Sequence, residues 1–206
     1  MKRIYLVRHG KTEWNENGIY QGRSDTDLSK EGISQAKRTA AYLGKNEIAE
    51  IYSSKLKRAI RTGELISGDT GLKVQQSEKL NELSFGKWEG MTFDGIQEEY
   101  PDLSRRFFAE PSEFEAPGGE SVKDLRKRVM DFWFEQESDD SDSVIVSHSG
   151  PLKIIILSVL NAPLDSFWNF ELRPASISEI RKQYGKFVLF NLNYRGHLEN
   201  TVEDPA

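Results

Sequence analysis

"SVIVSHSGPLKIIILSVL", residues 143–160, reads as a strand that passes into a helix across a single histidine. "SVIVS" is short and rich in β-branched residues, the composition of a strand buried on both faces. "GPLKIIILSVL" places Pro151 in a first helical turn and is apolar almost all round, as a helix inside a core is. A strand leading into such a helix is the unit from which α/β folds with a parallel sheet are built.

Working outward, the same alternation recurs. "RIYLV" (3–7) reads as a second doubly buried strand, and "LSKEGISQAKRTAAYLG" (28–44) as a helix capped by Ser29 and closed near Gly44. "AEIYSS" (49–54) is a strand followed by the amphipathic "KLKRAIRTGELIS" (55–67), and "LKVQQSE" (72–78) is a further strand candidate. "SVKDLRKRVMDFWFEQE" opens with Ser121 and Asp124 at capping-box spacing, and "ESDDSDS" reads as a solvated loop tip. "SISEIRK" and "KFVLFNLN", separated by "QYG", read as an antiparallel hairpin that finishes the sheet. Between Asn81 and Gly119 the composition shifts to turns and aromatics, the mark of an insertion over one end of the sheet.

The expected architecture is therefore α/β: a three-layer sandwich with a mostly parallel central sheet, one antiparallel edge strand, and a small helical or loop insertion over the active site. Its 206 residues suit a single domain spanning 1–206, with residues 81–119 as a substrate-facing cap. Against 28 Lys and Arg stand 33 Asp and Glu, a net charge of −5, which argues against nucleic acid or an anionic membrane as partner. No cysteine occurs, so disulfides, thiolate chemistry and cysteine metal sites are excluded. The N-terminal apolar run is too short for a signal peptide and no segment approaches membrane length, so the expected location is the cytoplasm. A homodimer is left open.

In open α/β sheets the site forms beyond the carboxyl ends of the strands. Arg8 and His9 follow the first strand, Arg58 opens the helix after "AEIYSS", and His148 follows "SVIVS". Taken alone, each has a bland reading as a surface charge or a hydrogen-bonded bystander. Their convergence is what carries chemistry. Arginine forks and a helix N-terminus together suit a phosphate dianion, and a neutral imidazole held among them can attack phosphorus. The leaving oxygen then needs a proton, for which Glu82 in "LNELSFGKWEG" stands in an aromatic loop that would raise its pKa.

These stretches resemble the signature of the histidine phosphatase superfamily, the phosphoglycerate mutase-like group. "LVRHGKTEWN" (6–15) is followed in order by "YQGRSDTDLSKEG" (20–32), "IYSSKLKRAIRT" (51–62), "LNELSFGKWEGM" (80–91), "PGGES" (117–121) and "VIVSHSGPLK" (144–153). The resemblance implies that His9 is the nucleophile, with Arg8, Arg58 and His148 on the phosphoryl oxygens and Glu82 as proton donor. It further implies that Asn15 helps hold the phosphate, that Gln21 and Gly22 lie beside the substrate, and that Ser149, where many relatives have glycine, contributes its backbone N–H.

Within the family, "NELSFGKWEGM" is similar to the phosphatase branch, of the α-ribazole, broad-specificity and phosphoserine phosphatase types. The expected activity is hydrolysis of a small phosphorylated metabolite, a phosphomonoester, without metal or other cofactor. A cofactor-dependent phosphoglycerate mutase is the alternative, and a non-catalytic phospholigand-binding module a remote one. A metal hydrolase lacks the H-x-H or H-E-x-x-H spacing it would need, and "VSHSGP" lacks the first glycine of a serine-hydrolase elbow. His197 is expected in a structural role, and Trp14, Trp168 and the Phe107–Phe108 pair in packing. Phe93, Phe107, Phe108 and Phe114 are the candidates to line the entrance.

Overall fold

The computed structural model describes residues 2–68, 71–136 and 140–199. Among these, a six-stranded sheet runs in the order β3-β2-β4-β1-β5-β6, formed by β1 (Lys2–Arg8), β2 (Glu50–Ser54), β3 (Val74–Ser77), β4 (Ser143–Ser147), β5 (Ile177–Gln183) and β6 (Lys186–Tyr194). The first four are mutually parallel; β5 and β6 form the antiparallel hairpin read from the sequence, so the antiparallel edge is a pair of strands. The helices are α1 (Glu13–Glu16), α2 (Lys30–Leu43), α3 (Lys57–Ser67), α4 (Phe93–Glu99), α5 (Pro101–Ala109), α6 (Val122–Gln136) and α7 (Ser149–Val159).

Period-two alternation along the central strands builds a core on each face of the sheet. Tyr5 and Val7 of β1 and Val144 and Val146 of β4 pack with Leu43, Ala59 and Ile66 of α2 and α3. Ile4, Leu6 and Ile145 point the other way, against Leu125, Val129 and Trp133 of α6 and Leu152 and Ile155 of α7. Truncating Leu6 to Ala would cost about 2–5 kcal/mol, the usual range for a fully enclosed aliphatic side chain. The larger core also takes in Trp88, Ile96, Phe107 and Phe114, which ties residues 88–114 to the sheet-facing helices.

Several helix starts form by the chemistry their sequence carries. Ser29 Oγ accepts from Gly32 N at 3.2 Å, and Ser121 Oγ accepts from Asp124 N at 3.0 Å while Asp124 Oδ2 accepts from Ser121 N at 3.3 Å. Residues 137–139 of the "ESDDSDS" run lie outside the described residues; beyond them Asp142 pairs with Arg3 at 2.8 Å. No helix among the described residues is long and apolar enough to cross a membrane.

Strand register places the site. Arg8 is paired with Ser147 at the end of the β1–β4 ladder, and Ser53 of β2 is paired with Val146 on the other side of β4. The next residue of each strand or loop, His9, His148 and Ser54, is thereby delivered to one point at the carboxyl ends of three adjacent strands.

Candidate active site

His9 and His148 meet with ring centroids 5.0 Å apart. His9 N donates to Ser147 O at 2.9 Å, which locks the turn out of β1 to the end of β4. The His9 ring is nearly enclosed, and its Nδ1 lies 2.7 Å from the carbonyl oxygen of Gly10. A carbonyl only accepts, so Nδ1 carries the proton and Nε2 presents a lone pair. Burial first, then the charges of Arg58 and Arg8, hold the His9 pKa well below the ordinary imidazole value. The ring is neutral at pH 7.

Gly10 makes this turn possible through closeness rather than through a left-handed backbone. A Cβ there would collide with the carbonyl oxygen of Gly32, because the loop after β1 rests on the first turn of α2. Gly10 N in turn donates to Thr62 Oγ1 of α3 at 3.1 Å.

The two arginines are held differently. Arg58, on the first turn of α3, is nearly enclosed and gives most of its donors to the protein: Nη2 to Gly22 O at 2.7 Å, Nη1 to Ser24 O at 2.8 Å and Thr26 Oγ1 at 3.4 Å, and Nε to His148 Nδ1 at 3.3 Å. Arg8 donates from Nη1 to Leu172 O at 2.5 Å, and its buried Nε has no partner among the described residues. An orphaned guanidinium N–H costs stability unless a ligand completes it. Burial lowers the pKa of both guanidinium groups, that of Arg58 to about 10, so both stay charged at neutral pH.

Glu82 comes from the loop after β3. Its Oε1 accepts from Leu83 N at 2.9 Å and from Gly150 N, in the first turn of α7, at 3.1 Å. Burial raises its pKa, opposed by the Leu83 N–H and by the charges of Arg58, Arg8 and Arg128. Arg128 of α6 holds this loop from behind: Nη1 donates to Lys79 O at 2.8 Å and Asn81 O at 2.6 Å, Nη2 to Glu82 O at 3.0 Å, and Glu120 pairs with its Nε at 2.7 Å.

Arg8, His9, Arg58 and Glu82 open together into a cavity of about 640 Å³. Of the other expected residues, Asn15, Gln21, Gly22 and Ser149 also line it. Asn15 Oδ1 is committed to Thr12 N at 3.1 Å in a capping box at the start of α1, which leaves its Nδ2 donors for a ligand. Gln21 Oε1 accepts from Thr26 Oγ1 at 2.6 Å, and Gly22 adopts φ +50°.

His148 is placed apart from these. It is fully enclosed, does not line the cavity, and uses both ring nitrogens internally: Nδ1 accepts from Arg58 Nε, and Nε2 lies 2.7 Å from Ser54 Oγ. Ser54 Oγ already accepts from Leu56 N at 3.3 Å, and the tautomer that fits carries its proton on Nε2. Burial and the neighbouring Arg58 hold its pKa well below the usual value as well.

The expected entrance aromatics do not face this cavity. Phe107 and Phe114 are core residues, and Phe93 and Phe108 line a separate cavity of about 520 Å³. The walls are instead Trp14, Tyr20, Phe85, Trp168 and Phe170. Trp168 also packs at 4.8 Å from Phe107, so the packing expected of it is real but partial. His197 is structural: its Nε2 lies 3.0 Å from Thr39 Oγ1, and its ring sits beside Tyr42 and Tyr194. Among the described residues no three His, Asp or Glu side chains gather as a metal-binding group.

Lys153 also lines the cavity, a role the sequence reading did not assign. Its signal was present: it is the lone charge in the otherwise apolar "PLKIIILSVL".

The family model described as histidine phosphatase superfamily (branch 1) matches residues 4–195. Phosphoserine phosphatase 1 of Hydrogenobacter thermophilus is 36% identical over 200 residues, covering 96% of this chain and 95% of its own. Among solved structures, Bacillus stearothermophilus YhfR superposes with a TM-score of 0.90 at 29% identity, covering 97% of this chain and all (100%) of that one. A phosphoserine phosphatase mutant from Entamoeba histolytica, in complex with phosphoserine, superposes with a TM-score of 0.86 at 30% identity, again covering 97% and 100%.

Proposed function

Because the chain belongs to the histidine phosphatase superfamily, we propose that it hydrolyses small phosphate monoesters through a phosphohistidine on His9, as one domain with residues 81–119 at the mouth of the site. The observation that carries this is the His9 ring, neutral, with Nδ1 tied to Gly10 O, in a cavity shared with Arg8 and Arg58.

The chemistry follows from the atoms. The free guanidinium N–H groups of Arg8, the Nδ2 of Asn15 and the backbone N–H of Ser149 at the head of α7 would hold the phosphoryl oxygens. His9 Nε2 donates its lone pair to phosphorus as the bond from phosphorus to the ester oxygen breaks. Glu82, whose pKa burial raises, gives its proton to that leaving oxygen. The Glu82 carboxylate then takes a proton from water as the water oxygen attacks phosphorus, the P–N bond breaks, and inorganic phosphate leaves with Glu82 protonated again. Throughout, the fixed charges meet the dianion without reorganising, the condition under which electrostatic stabilisation is largest.

His148 serves this by position. It backs the His9 ring and anchors Arg58 Nε and Ser54, so it acts through Arg58.

A phosphomonoester panel containing phosphoserine, α-ribazole phosphate, sugar phosphates and 3-phosphoglycerate, run with and without EDTA, tests the reading. Turnover by the native chain, insensitive to EDTA and lost in His9→Ala, is expected. Full activity in His9→Ala would overturn it, and phosphoryl exchange with 2,3-bisphosphoglycerate faster than phosphate release would make the protein a mutase instead.

A further inference from the structure

Glu89 is a partly buried carboxylate that the hydrolytic steps do not use. It does not border the cavity, yet it holds part of the cavity wall from behind. Its Oε1 accepts from Arg23 N at 3.0 Å and from Phe85 N at 3.1 Å, and its Oε2 accepts from Ser24 N at 2.9 Å and from Ser24 Oγ at 2.8 Å. All four donors are neutral, so the charge of the carboxylate strengthens each bond beyond an ordinary pair.

Residues 21–24 form a tight turn, closed by Ser24 N donating to Gln21 O at 2.9 Å, and the turn presents its carbonyls to Arg58. Arg58 Nη2 donates to Gly22 O at 2.7 Å and Nη1 to Ser24 O at 2.8 Å. Gly22 O and Arg23 N belong to one peptide group. That group is planar and trans, so its N–H and C=O point in opposite directions. With the N–H fixed on Glu89, the carbonyl is aimed at the guanidinium, and a chain of carboxylate, peptide and guanidinium leads from Glu89 to the cavity. Gly22 permits the close approach: it adopts φ +50°, and a Cβ there would collide with Glu89 Oε1.

The stretch that carries Glu82 has supports of its own. Arg128 donates to the carbonyls of Lys79, Asn81 and Glu82, Glu120 Oε2 accepts from Ser84 N at 3.2 Å, and Gly150 N holds the Glu82 carboxyl. To these Glu89 adds the bond to Phe85 N. Losing Glu89 therefore falls mainly on Arg58, whose fork has the 22–24 turn as its seat.

We propose that Glu89 is a positioning residue of the phosphate site: through the 22–24 turn it sets the Arg58 guanidinium toward the dianion, without touching substrate or moving a proton. The kinetic part of this proposal rests on the phosphomonoesterase reading, and binding of inorganic phosphate separates the two.

Glu89→Gln keeps the size of the side chain and turns an amide NH2 toward N–H donors. It should lower kcat/KM for p-nitrophenyl phosphate by roughly 10- to 100-fold, and for glycerol 3-phosphate by the same factor, because the dianion is the part the two substrates share. Inorganic phosphate, followed by calorimetry, should bind about tenfold more weakly. Arg58→Lys lacks the fork that the turn holds, so in that background Glu89→Gln should cost little further. Losses that multiply in the double variant would mark a merely structural residue, and a loss much larger for glycerol 3-phosphate would mark one acting through Glu82; either overturns the proposal. Should Glu89→Gln fail to fold, Ser24→Ala removes one of the four bonds. It should show a smaller loss of about two- to tenfold, again equal for both substrates, and full activity there would also overturn the proposal. Turnover by Glu89→Gln at the native rate sinks this inference only. Weakened phosphate binding in Glu89→Gln, with no phosphomonoester turned over even by the native chain, sinks the phosphatase reading and leaves the positioning role standing.

Discussion

Substituting Gly150 by Ala tests how Glu82 is held. A Cβ at Gly150 would fall inside 3.0 Å of Glu82 Oε1, where ordinary contacts begin at 3.4 Å, and would press Leu125 Cδ2 at 3.2 Å. The carboxyl must then retreat by roughly 0.5–1 Å, a displacement that costs an acid catalyst about 10²-fold. That loss should appear in kcat for alkyl phosphates, whose leaving oxygen needs the proton, and should shrink to a few-fold for p-nitrophenyl phosphate, whose phenolate leaves unaided. Overpacking adds about 1–3 kcal/mol of destabilisation, so a melting curve accompanies the kinetics. In a Glu82→Gln background the same substitution should cost little further rate, since both act on one group. Equal losses for alkyl and aryl substrates, or additive losses in the double variant, would refute the assignment of Glu82 as the proton donor placed by Gly150.

Arg128→Met removes donors from three loop carbonyls and leaves Glu120 with only the longer Arg23 contact at 3.5 Å and the Ser84 N–H; we expect destabilisation of about 3 kcal/mol, and hence a fall in Tm of roughly 6–12 °C, with a loss of kcat that exceeds any change in KM. The depressed pKa values of His9 and His148 have a pH signature: the unfolded chain takes up protons below about 6.5 that the native state refuses, so stability should fall as pH drops below that value, and thermal melts from pH 7.5 to 5 read it directly. By the same shift, the acidic limb of kcat/KM attributable to His9 should lie below pH 6.5. Inorganic phosphate should raise Tm by completing the donors of Arg8, and should do so much less in Arg8→Met.

The parts of this site that were legible in the sequence share one property: their signal is local. Doubly buried strands at "RIYLV" and "SVIVS" announce themselves by composition, and a histidine two residues after the first and directly after the second stands at a strand's carboxyl end by construction. Ser29, Ser121 and Asp124 cap helices through bonds to residues three positions away. The cavity walls have no such signal. Trp14 and Tyr20 come from the loop and short helix after β1, and Trp168 and Phe170 from an irregular turn after α7, segments without periodicity that only the folded chain brings together. Aromatic character marked Phe107 and Phe114 as candidates for the entrance, yet both are core residues, because composition does not tell a core face from a pocket wall. The enclosure of His148 was hidden for a similar reason. It depends on Ser54 and Arg58 reaching across β2 and β4, a pairing set by register. Lys153 was visible as a lone charge in an apolar helix, and its meaning required the cavity.

The central claim is that one nitrogen of one ring carries the phosphoryl group. Mixing the enzyme with substrate, quenching under denaturing alkaline conditions within the first turnover, and mapping the phosphorylated peptide by mass spectrometry and 31P NMR tests it. The account predicts one phosphate on His9, bound through Nε2, appearing before steady-state phosphate release and absent from His9→Ala. Label on His148, attachment through Nδ1, or turnover with no phosphoenzyme at any time would contradict it.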